Sequence, residues 1–524
     1  MRTAYGILLL VFLLSSGFAT GQEENPSVLD RKITLEVHQE TITAILDQIS
    51  ALSNVYFSYD ASLFEPETKA DLKITDQTIR ETLFQLFGSK FSIKVLGEQV
   101  IIALPGTEKI SETEPEPAIT APLIIRIKGK ILDGEEKTPL PYSSISVLGK
   151  NLGTISNLDG DFELKIPESM KFDSIVISCL GYRQQRLSIA GFGPDSCILN
   201  LQPVSVQLNE IKVTVIDANK IIEKLISKIS LNYATEPEIM TAFYREVLQQ
   251  DDEYIDVAEA LLEIRKSSYE NSFAEDKIKL IKGRKNLNIR PFQIVDFKIQ
   301  GGPYYATKLD VVKTLDSFLD LESRDQYKYY LAETMEFNKR DTYVIQFKPK
   351  EKEENLSYQG KLYIDMSTFA LVHADFSLSR QGLKYAHQLL IKKKPKDFFV
   401  RPVKADYSVS YRKVKNTWHL NNAQTSVNFK VKSKNDKVNS TFHSASELLI
   451  TDFKPEEGEK FKRNELLNSK DIFTEMISTF DEHFWDDFNI IQPSEDLRNA
   501  LKSYYQKNDT LFQINREPKN IRRK

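Results

Sequence analysis

Histidine, the commonest metal ligand and a frequent general base, occurs six times, at His38, His373, His387, His419, His443 and His483. A zinc peptidase needs at least two histidines and an acid around one metal. No pair here has the HExxH or HxxE spacing that presents two ligands from one element. His373 with Asp375, on alternate residues of one strand, and His483 with Asp486 and Asp487 come nearest. A hydrogen-bonded or solvent-facing histidine accounts for each. Asn157, Asp159 and Asp161 place three oxygen side chains at alternate positions, as in a fragment of a calcium loop. The bidentate acid that would complete such a loop is missing because a strand begins at once. The default is a tight hairpin turn in which Gly160 takes the positive φ.

Serine elbows of the GxSxG type, phosphate-cradling GxxxxGK[ST] loops and dinucleotide GxGxxG loops are all missing. A glycosidase pair is defined by a separation of roughly 5 to 10 Å in space, which cannot be picked out among 74 acidic residues. The sequence nominates no catalytic, cofactor-binding or metal-ligating residue and implies no cofactor. Only two cysteines occur, Cys179 and Cys197. In an oxidising compartment they can pair, closing a loop worth roughly 3 kcal/mol in the chain-entropy model. The alternative is two small buried residues.

These residues belong to a chain of 524, too long for one hydrophobic core, so two to four domains are expected. A net charge of -4, with lysines interspersed among acids, gives no basic excess of the kind nucleic-acid binding requires. Met1-Arg2, an apolar run over 7–14 and the small residues Ala19-Thr20-Gly21 before Gln22 read as a signal peptide, residues 1–21. The run is shorter than the ~20 residues that span a bilayer. No cysteine follows it, which argues against lipoprotein anchoring. No later segment reads as a transmembrane helix. The expectation is an exported chain.

Residues 31–104 carry an internal repeat in which each copy reads strand, turn, amphipathic helix, strand. The apolar stripes are Ile42, Ile45, Leu46, Ile49 and Ile79, Leu83, Leu86, Phe87, spaced to lie on a sheet. Thr41 and Thr78 fall at or inside the helix starts, and Asp76 is a candidate cap for the second. Two βαβ-like halves make a small α+β domain. It resembles the short N-terminal (STN) domain of secretins and TonB receptors, and the resemblance implies contact with envelope signalling proteins or neighbouring assembly subunits. The helix face or edge strands of 33–104 are the contact surfaces this implies. Residues 105–122, with Pro115, Pro117 and several acids, read as a stiff solvated linker.

An all-β sandwich is expected over 123–215. It carries Gly129-Lys130-Ile131-Leu132-Asp133, Pro139-Leu140-Pro141-Tyr142, the run Gly153-Thr154-Ile155-Ser156-Asn157-Leu158-Asp159-Gly160-Asp161-Phe162, and Ser178-Cys179-Leu180-Gly181-Tyr182. These motifs resemble the carboxypeptidase-regulatory-like domain, which implies attachment and no chemistry of its own. Residues 208–215 read either as the last strand of the sandwich or as a strand that an energy-coupling partner adds to its sheet. In TonB-dependent transporters a plug and barrel would follow. Here a connecting helix over 216–236 follows instead, with Ile221, Ile222, Leu225, Ile226 and Ile229 on one face.

From 237 to 455 long alternating strands, such as 254–260, 342–347, 360–365 and 418–423, argue for a large antiparallel sheet with one wet face. A helix over 308–321, with Leu309, Val312, Leu315, Phe318 and Leu319 on one side, is expected to close it. Residues 456–524 read as a helical tail. A membrane barrel would need an uninterrupted apolar outer face and a terminal apolar strand. Charges on both faces and the ending Ile521-Arg522-Arg523-Lys524 break that pattern. Tyr304, Tyr305, Tyr327, Tyr329, Tyr330, Tyr407 and Tyr411 read as packing residues with hydroxyls at the wet edge, or as the lining of a groove for glycan or lipid.

The sequence thus describes a multi-domain chain: small α+β, then a sandwich, then a large antiparallel β-rich domain with flanking helices. It reads as a non-catalytic binding or adaptor protein of the periplasm or outer membrane. The resemblances imply envelope proteins, TonB-system components among them, as partners, and the tyrosines leave lipid or glycan open as further ligands. Two other readings stay open. One is a periplasmic lipid or lipoprotein carrier with a half-barrel around an apolar cavity; the other is a hydrolase of envelope polymers with clustered acids or histidines in a cleft.

Overall fold

The computed structural model describes residues 28–103, 123–204, 217–287, 298–299, 302–350, 357–458, 461–469, 473, 477, 485 and 488–502, apart from short gaps inside these ranges. The chain divides into two compact units, 1–119 and 120–524. The expected leader (1–21), the linker (105–122) and the strand at 208–215 lie outside the described residues.

In the first unit each repeat contributes a strand, a helix and a strand. The order is β1 (Lys32–Thr41), α1 (Ile42–Ser53), β2 (Tyr56–Tyr59), β3 (Lys69–Thr78), α2 (Ile79–Phe87), β4 (Ser92–Leu96) and β5 (Gln99–Ala103). β1 and β3 pair antiparallel, while β5 joins β2 in parallel and β4 antiparallel. Ile42, Ile45, Leu46 and Ile49 of α1 and Ile79, Leu83 and Phe87 of α2 are buried with Ile33, Leu35, Val37, Leu72 and Ile74 in one core. The cap of α2 is Thr78, not Asp76. The Thr78 side chain accepts from the Glu81 amide while the Glu81 carboxylate accepts from the Thr78 amide, a capping box. Asp76 stays within β3 with left-handed backbone (φ 54°) and pairs with Lys32 at 2.8 Å.

The second unit opens with the sandwich: β6 (Ile124–Asp133), β7 (Ser144–Val147), β8 (Gly153–Ile155), β9 (Asp161–Pro167), β10 (Ser174–Ser178), β11 (Gln185–Ser188) and β12 (Cys197–Leu201). Its sheets run β11-β10-β7-β8 and β12-β6-β9, and Ile127, Ile131, Ile145, Val147, Phe162, Leu164, Ile175 and Ile177 fill the space between them. Gly129 is required there, since a Cβ would lie 2.7 Å from both Cys197 Sγ and the Phe162 ring.

The connecting helix is two short ones, α3 (Ala218–Ser227) and α4 (Ile229–Asn232). The main sheet follows: β13 (Glu238–Gln250), β14 (Glu253–Lys266), β15 (Lys277–Leu287), then a minor strand β16 (Lys298–Ile299), helices α5 (Pro303–Thr307) and α6 (Val311–Thr314), β17 (Tyr327–Phe337), β18 (Arg340–Pro349), β19 (Tyr358–Asp365), β20 (Leu371–Leu378), α7 (Gly382–Tyr385), a minor strand β21 (Ile391–Lys393), β22 (Phe399–Val414), β23 (Thr417–Ser433) and β24 (Val438–Pro455). Ten strands form one antiparallel sheet in the order β15-β14-β13-β24-β23-β22-β20-β19-β18-β17.

Alternation sorts the side chains of this sheet. Ala242 and Tyr244 of β13, Ala260 and Leu262 of β14 and Leu448 and Ile450 of β24 join α3, α4 and the 306–319 segment in the largest core. Their neighbours Phe243, Leu261 and Leu449 pack on the other face against Ile155 of the sandwich and Trp485, Ile490 and Ile491 of the C-terminal segment. The face expected to be wet is therefore covered over part of its width.

The expected helix over 308–321 is reduced to α6, and the residue that caps its start is Asp310. Its fully buried carboxylate caps α6 through the Lys313 amide (3.3 Å), meets the Lys266 ammonium at 2.5 Å and accepts from the hydroxyls of Tyr269 (2.6 Å) and Tyr411 (2.8 Å). Leu315 then turns left-handed (φ 49°) and ends α6. Periodicity favoured one helix but does not register the left-handed turn at Leu315; the buried Asp310 carboxylate has the donors that burial demands. Burial alone would lower Lys266, but the carboxylates of Asp276 and Asp310 outweigh it and hold the ammonium above its ordinary range. The segment expected to be a helical tail forms a 3₁₀ turn at Arg463–Glu465, an irregular stretch at 488–494 and a helix at 495–502.

Replacing Asp310 with alanine leaves two phenols and half the partners of a buried ammonium unsatisfied. Urea unfolding of D310A should show a loss of about 3–5 kcal/mol. A loss below about 1 kcal/mol would mean that the latch is dispensable.

Candidate functional site

The sandwich meets the main sheet along a polar seam whose centre is a buried ion cluster. Glu259 of β14, nearly inaccessible, accepts from Arg245 Nε of β13 and Arg284 Nε of β15, both at 2.7 Å, and from the Trp485 indole at 3.1 Å. Arg245 reaches on to Glu447 of β24 (3.3 Å) and to the Ile491 carbonyl (2.7 Å). Burial pushes the Glu259 carboxyl up, but the two guanidinium groups more than reverse it and bring it down to about 2.

The C-terminal segment lies between the two layers and is gripped by the sandwich. Lys165 Nζ donates to the carbonyls of Trp485 and Phe488, and the Asn489 side chain bonds both the amide and the carbonyl of Lys165. Thr154 donates to the Ile490 carbonyl and Asn157 to that of Pro493. The turn at 157–161 thereby finds its role. Gly160 has φ 79°, the Asn157 side-chain oxygen accepts from the amides of Asp159 and Asp161, and the Asp159 carboxylate accepts from the Glu495 amide at the start of the 495–502 helix.

Beside the seam an open groove of about 490 Å³ runs over the main sheet. Its floor comes from five adjacent strands: Gln359 of β19, Asp375 and Ser377 of β20, Asp406 and Ser408 of β22, Gln424 and Ser426 of β23, His443 and Glu447 of β24. Tyr142 and Leu158 of the sandwich form its wall. Each carboxylate has a partner: Asp375 lies 2.9 Å from the His373 ring, Asp406 2.7 Å from the Lys404 ammonium, and Glu447 pairs with Arg245. Burial and the adjacent Glu447 push the Tyr142 phenol far above its ordinary range. Tyr142 holds left-handed backbone (φ 58°) with its amide bound to the Ser156 carbonyl at 3.0 Å. That conformation costs an L-residue roughly 1–2 kcal/mol.

Ser426 Oγ lies 2.9 Å from His443 Nε2, and His443 Nδ1 lies 2.8 Å from Gln249 Oε1. Burial lowers the imidazole's pKa, which favours the neutral ring. With the Gln249 oxygen accepting, Nδ1 carries the proton and Nε2 accepts from the Ser426 hydroxyl, leaving the Ser426 lone pairs free to accept. The distances are those of a nucleophile and its base. However, Ser426 lies mid-strand, where the backbone amides are spent in ladders with β22 and β24 and cannot form an oxyanion hole. Gln424 Nε2 is buried with no hydrogen-bond partner.

Sequence reasoning singled out none of the groove residues as a group. Of the other candidates, His373 does pair with Asp375. His38 is exposed near Glu36 and Asp71, and His419 is buried on Glu238 (3.0 Å) and stacked on Phe453. His387, His483, Asp486 and Asp487 lie outside the described residues. Tyr411 and Tyr327 are buried packing residues and Tyr330 is exposed at the sheet edge, while Tyr407 stacks on Phe376 on the helical face, opposite the groove floor. Cys179 and Cys197 are free thiols that pack against the sandwich core.

Residues 127–213 match the family model of the CarboxypepD_reg-like domain. No curated protein matches the chain. Among solved structures, a domain named as an outer membrane lipoprotein-sorting protein from Vibrio parahaemolyticus is 12% identical, covering 47% of this chain and 95% of its own, with a TM-score of 0.22. A DUF1329 family protein from Desulfovibrio piger is 10% identical (48% and 100% covered, TM-score 0.24). A LolA superfamily protein from Nitrosomonas europaea is 12% identical (47% and 96% covered, TM-score 0.19). Scores this low leave the main sheet to be interpreted from its own geometry.

Two outcomes are expected. Glu259 has a depressed pKa, so its stabilisation is complete above the unfolded value near 4.5 and disappears as pH falls toward about 2. Stability measured from pH 5 down to pH 2 should therefore fall less steeply in E259Q than in the parent, and parallel curves would contradict this. We also propose that the two thiols stay unpaired. Protein recovered from an oxidising compartment and unfolded without reductant should then titrate two thiols per chain, and none would mean a disulfide.

Proposed function

We propose that this chain is an exported envelope protein that works by binding, with the 120–524 unit as the body that holds the ligand and the N-terminal α+β unit as an adaptor for other envelope proteins. The observation that carries the reading is the groove: a polar floor on central strands of a ten-stranded sheet, walled by a sandwich that is fixed to the same sheet. Side chains on such a floor are already ordered, so a ligand loses little of its binding energy to arranging them. The leader-like N-terminus supports export. No described helix is long and apolar enough to cross a membrane.

The carrier reading has one observation in its favour. Phe318 sits in an aromatic box on the helical face, stacked on Phe347 at 4.4 Å with Phe376, Tyr358 and Tyr327 around it. An acyl chain could occupy that box only if Phe318 and Leu319, both fully buried, withdrew from it.

A photo-cross-linking side chain placed at Leu158, on the groove wall, should capture an envelope component in living cells. The same side chain at Phe273, 95% exposed and outside the groove lining, should not. Equal labelling from both positions, or none from Leu158, would contradict a groove-centred binding role.

A further inference from the structure

We infer that the groove takes a neutral saccharide chain, one sugar ring lying against Tyr142 and Leu158 with its hydroxyls on the floor; this rests on the binding role proposed above. The chemistry of the floor favours such a ligand. A solvated sheet face ordinarily carries Lys and Glu, whereas here Gln424, Ser426, Ser408 and Ser377 stand on neighbouring strands. These groups both donate and accept, which suits a ligand made of hydroxyls. Two of the three carboxylates among them, Asp406 and Glu447, are paired with Lys404 and Arg245, and Asp375 is bonded to the His373 ring. They can accept hydrogen bonds, but the pairing leaves little charge to draw in a cation, and carboxylates on the floor disfavour an anion.

The sheet has no place here for an added peptide strand. β-addition needs an unpaired strand edge, and every strand of the floor has a neighbour on each side. A peptide would depend on its side chains alone, and the groove offers one apolar wall and no deep apolar pocket.

Two groups of the floor point to a missing partner. Gln424 Nε2 is a buried donor without an acceptor, a condition that costs about 1–3 kcal/mol and that a ligand hydroxyl would relieve. Ser426 donates its hydrogen bond to His443 and keeps its lone pairs as acceptors. Tyr142 keeps a left-handed backbone, and strain of that kind collects at ligand sites. An aromatic face beside hydrogen-bonding groups fits a pyranose ring, apolar on its faces and polar around its rim.

The test is binding of the full chain to an array of neutral and charged oligosaccharides, with isothermal titration of the best ligand. The expected result is saturable binding of a neutral glycan at one site per chain. It should be weakened roughly five- to tenfold by Gln424→Ala and by Asp406→Asn, a loss typical of one hydrogen bond, and left unchanged by Phe273→Ala. Unfolding midpoints equal to the parent's would show that the variants are folded. Binding confined to anionic glycans, binding unaffected by both groove variants, or no glycan binding would overturn the inference. If Leu158 still cross-links an envelope component while no glycan binds, the saccharide assignment fails and the binding role stands.

Discussion

Glu259 is the residue on which the second unit turns. A carboxylate enclosed by protein is costly unless its lone pairs are filled by charged donors, and here two guanidinium groups and an indole fill them. Each donor ties down something different. Arg245 and Arg284 fix the strands on either side, Arg245 also holds the Ile491 carbonyl, and Trp485 brings the C-terminal segment into the seam. Remove the carboxylate and two buried arginines lose their main counter-charge. The sandwich would then face the sheet across a layer it could not grip.

That constraint converts a module expected to be a separate domain into one wall of a site. The groove exists because Tyr142 and Leu158 of the sandwich stand at a fixed height above β19, β20, β22, β23 and β24. A loosely tethered sandwich would leave only a flat polar sheet face. Rigidity is what gives the groove its shape, and on the helical face the polar latch at Asp310 supplies the same rigidity by holding the 303–319 segment in place.

The local elements were readable from the sequence because their patterns are local. The stripe Ile79, Leu83, Phe87 is a helix lying on a sheet, the 254–260 and 418–423 alternations are strands of the main sheet, and Gly160 turns where a hairpin requires it. What could not be read depends on partners hundreds of residues apart. Lys165 in Leu164-Lys165-Ile166 looks like any solvated lysine in an alternating strand, yet its ammonium serves the carbonyls of Trp485 and Phe488. The 308–321 stripe looks helical because periodicity does not register the left-handed turn at Leu315 that ends α6. Two signals were present. Glu259 stands between Ala258 and Ala260 in a run that continues Leu261-Leu262, apolar enough to suggest that both faces are covered. Asn422, Gln424, Ser426 and Asn428 form an uncharged polar row on one face of β23, where a plain solvated face would carry lysine and glutamate.

The claim that matters most is that sandwich, C-terminal segment and main sheet open as one body, and native-state hydrogen exchange measures it directly. Amides of β8, β9 and 489–497 should exchange only with the free energy of global unfolding, the same as β13 and β14. Exchange of the sandwich and 489–497 through a separate, cheaper opening, with β13 and β14 still protected, would show that the seam is not the foundation of the unit and that the groove has no fixed wall.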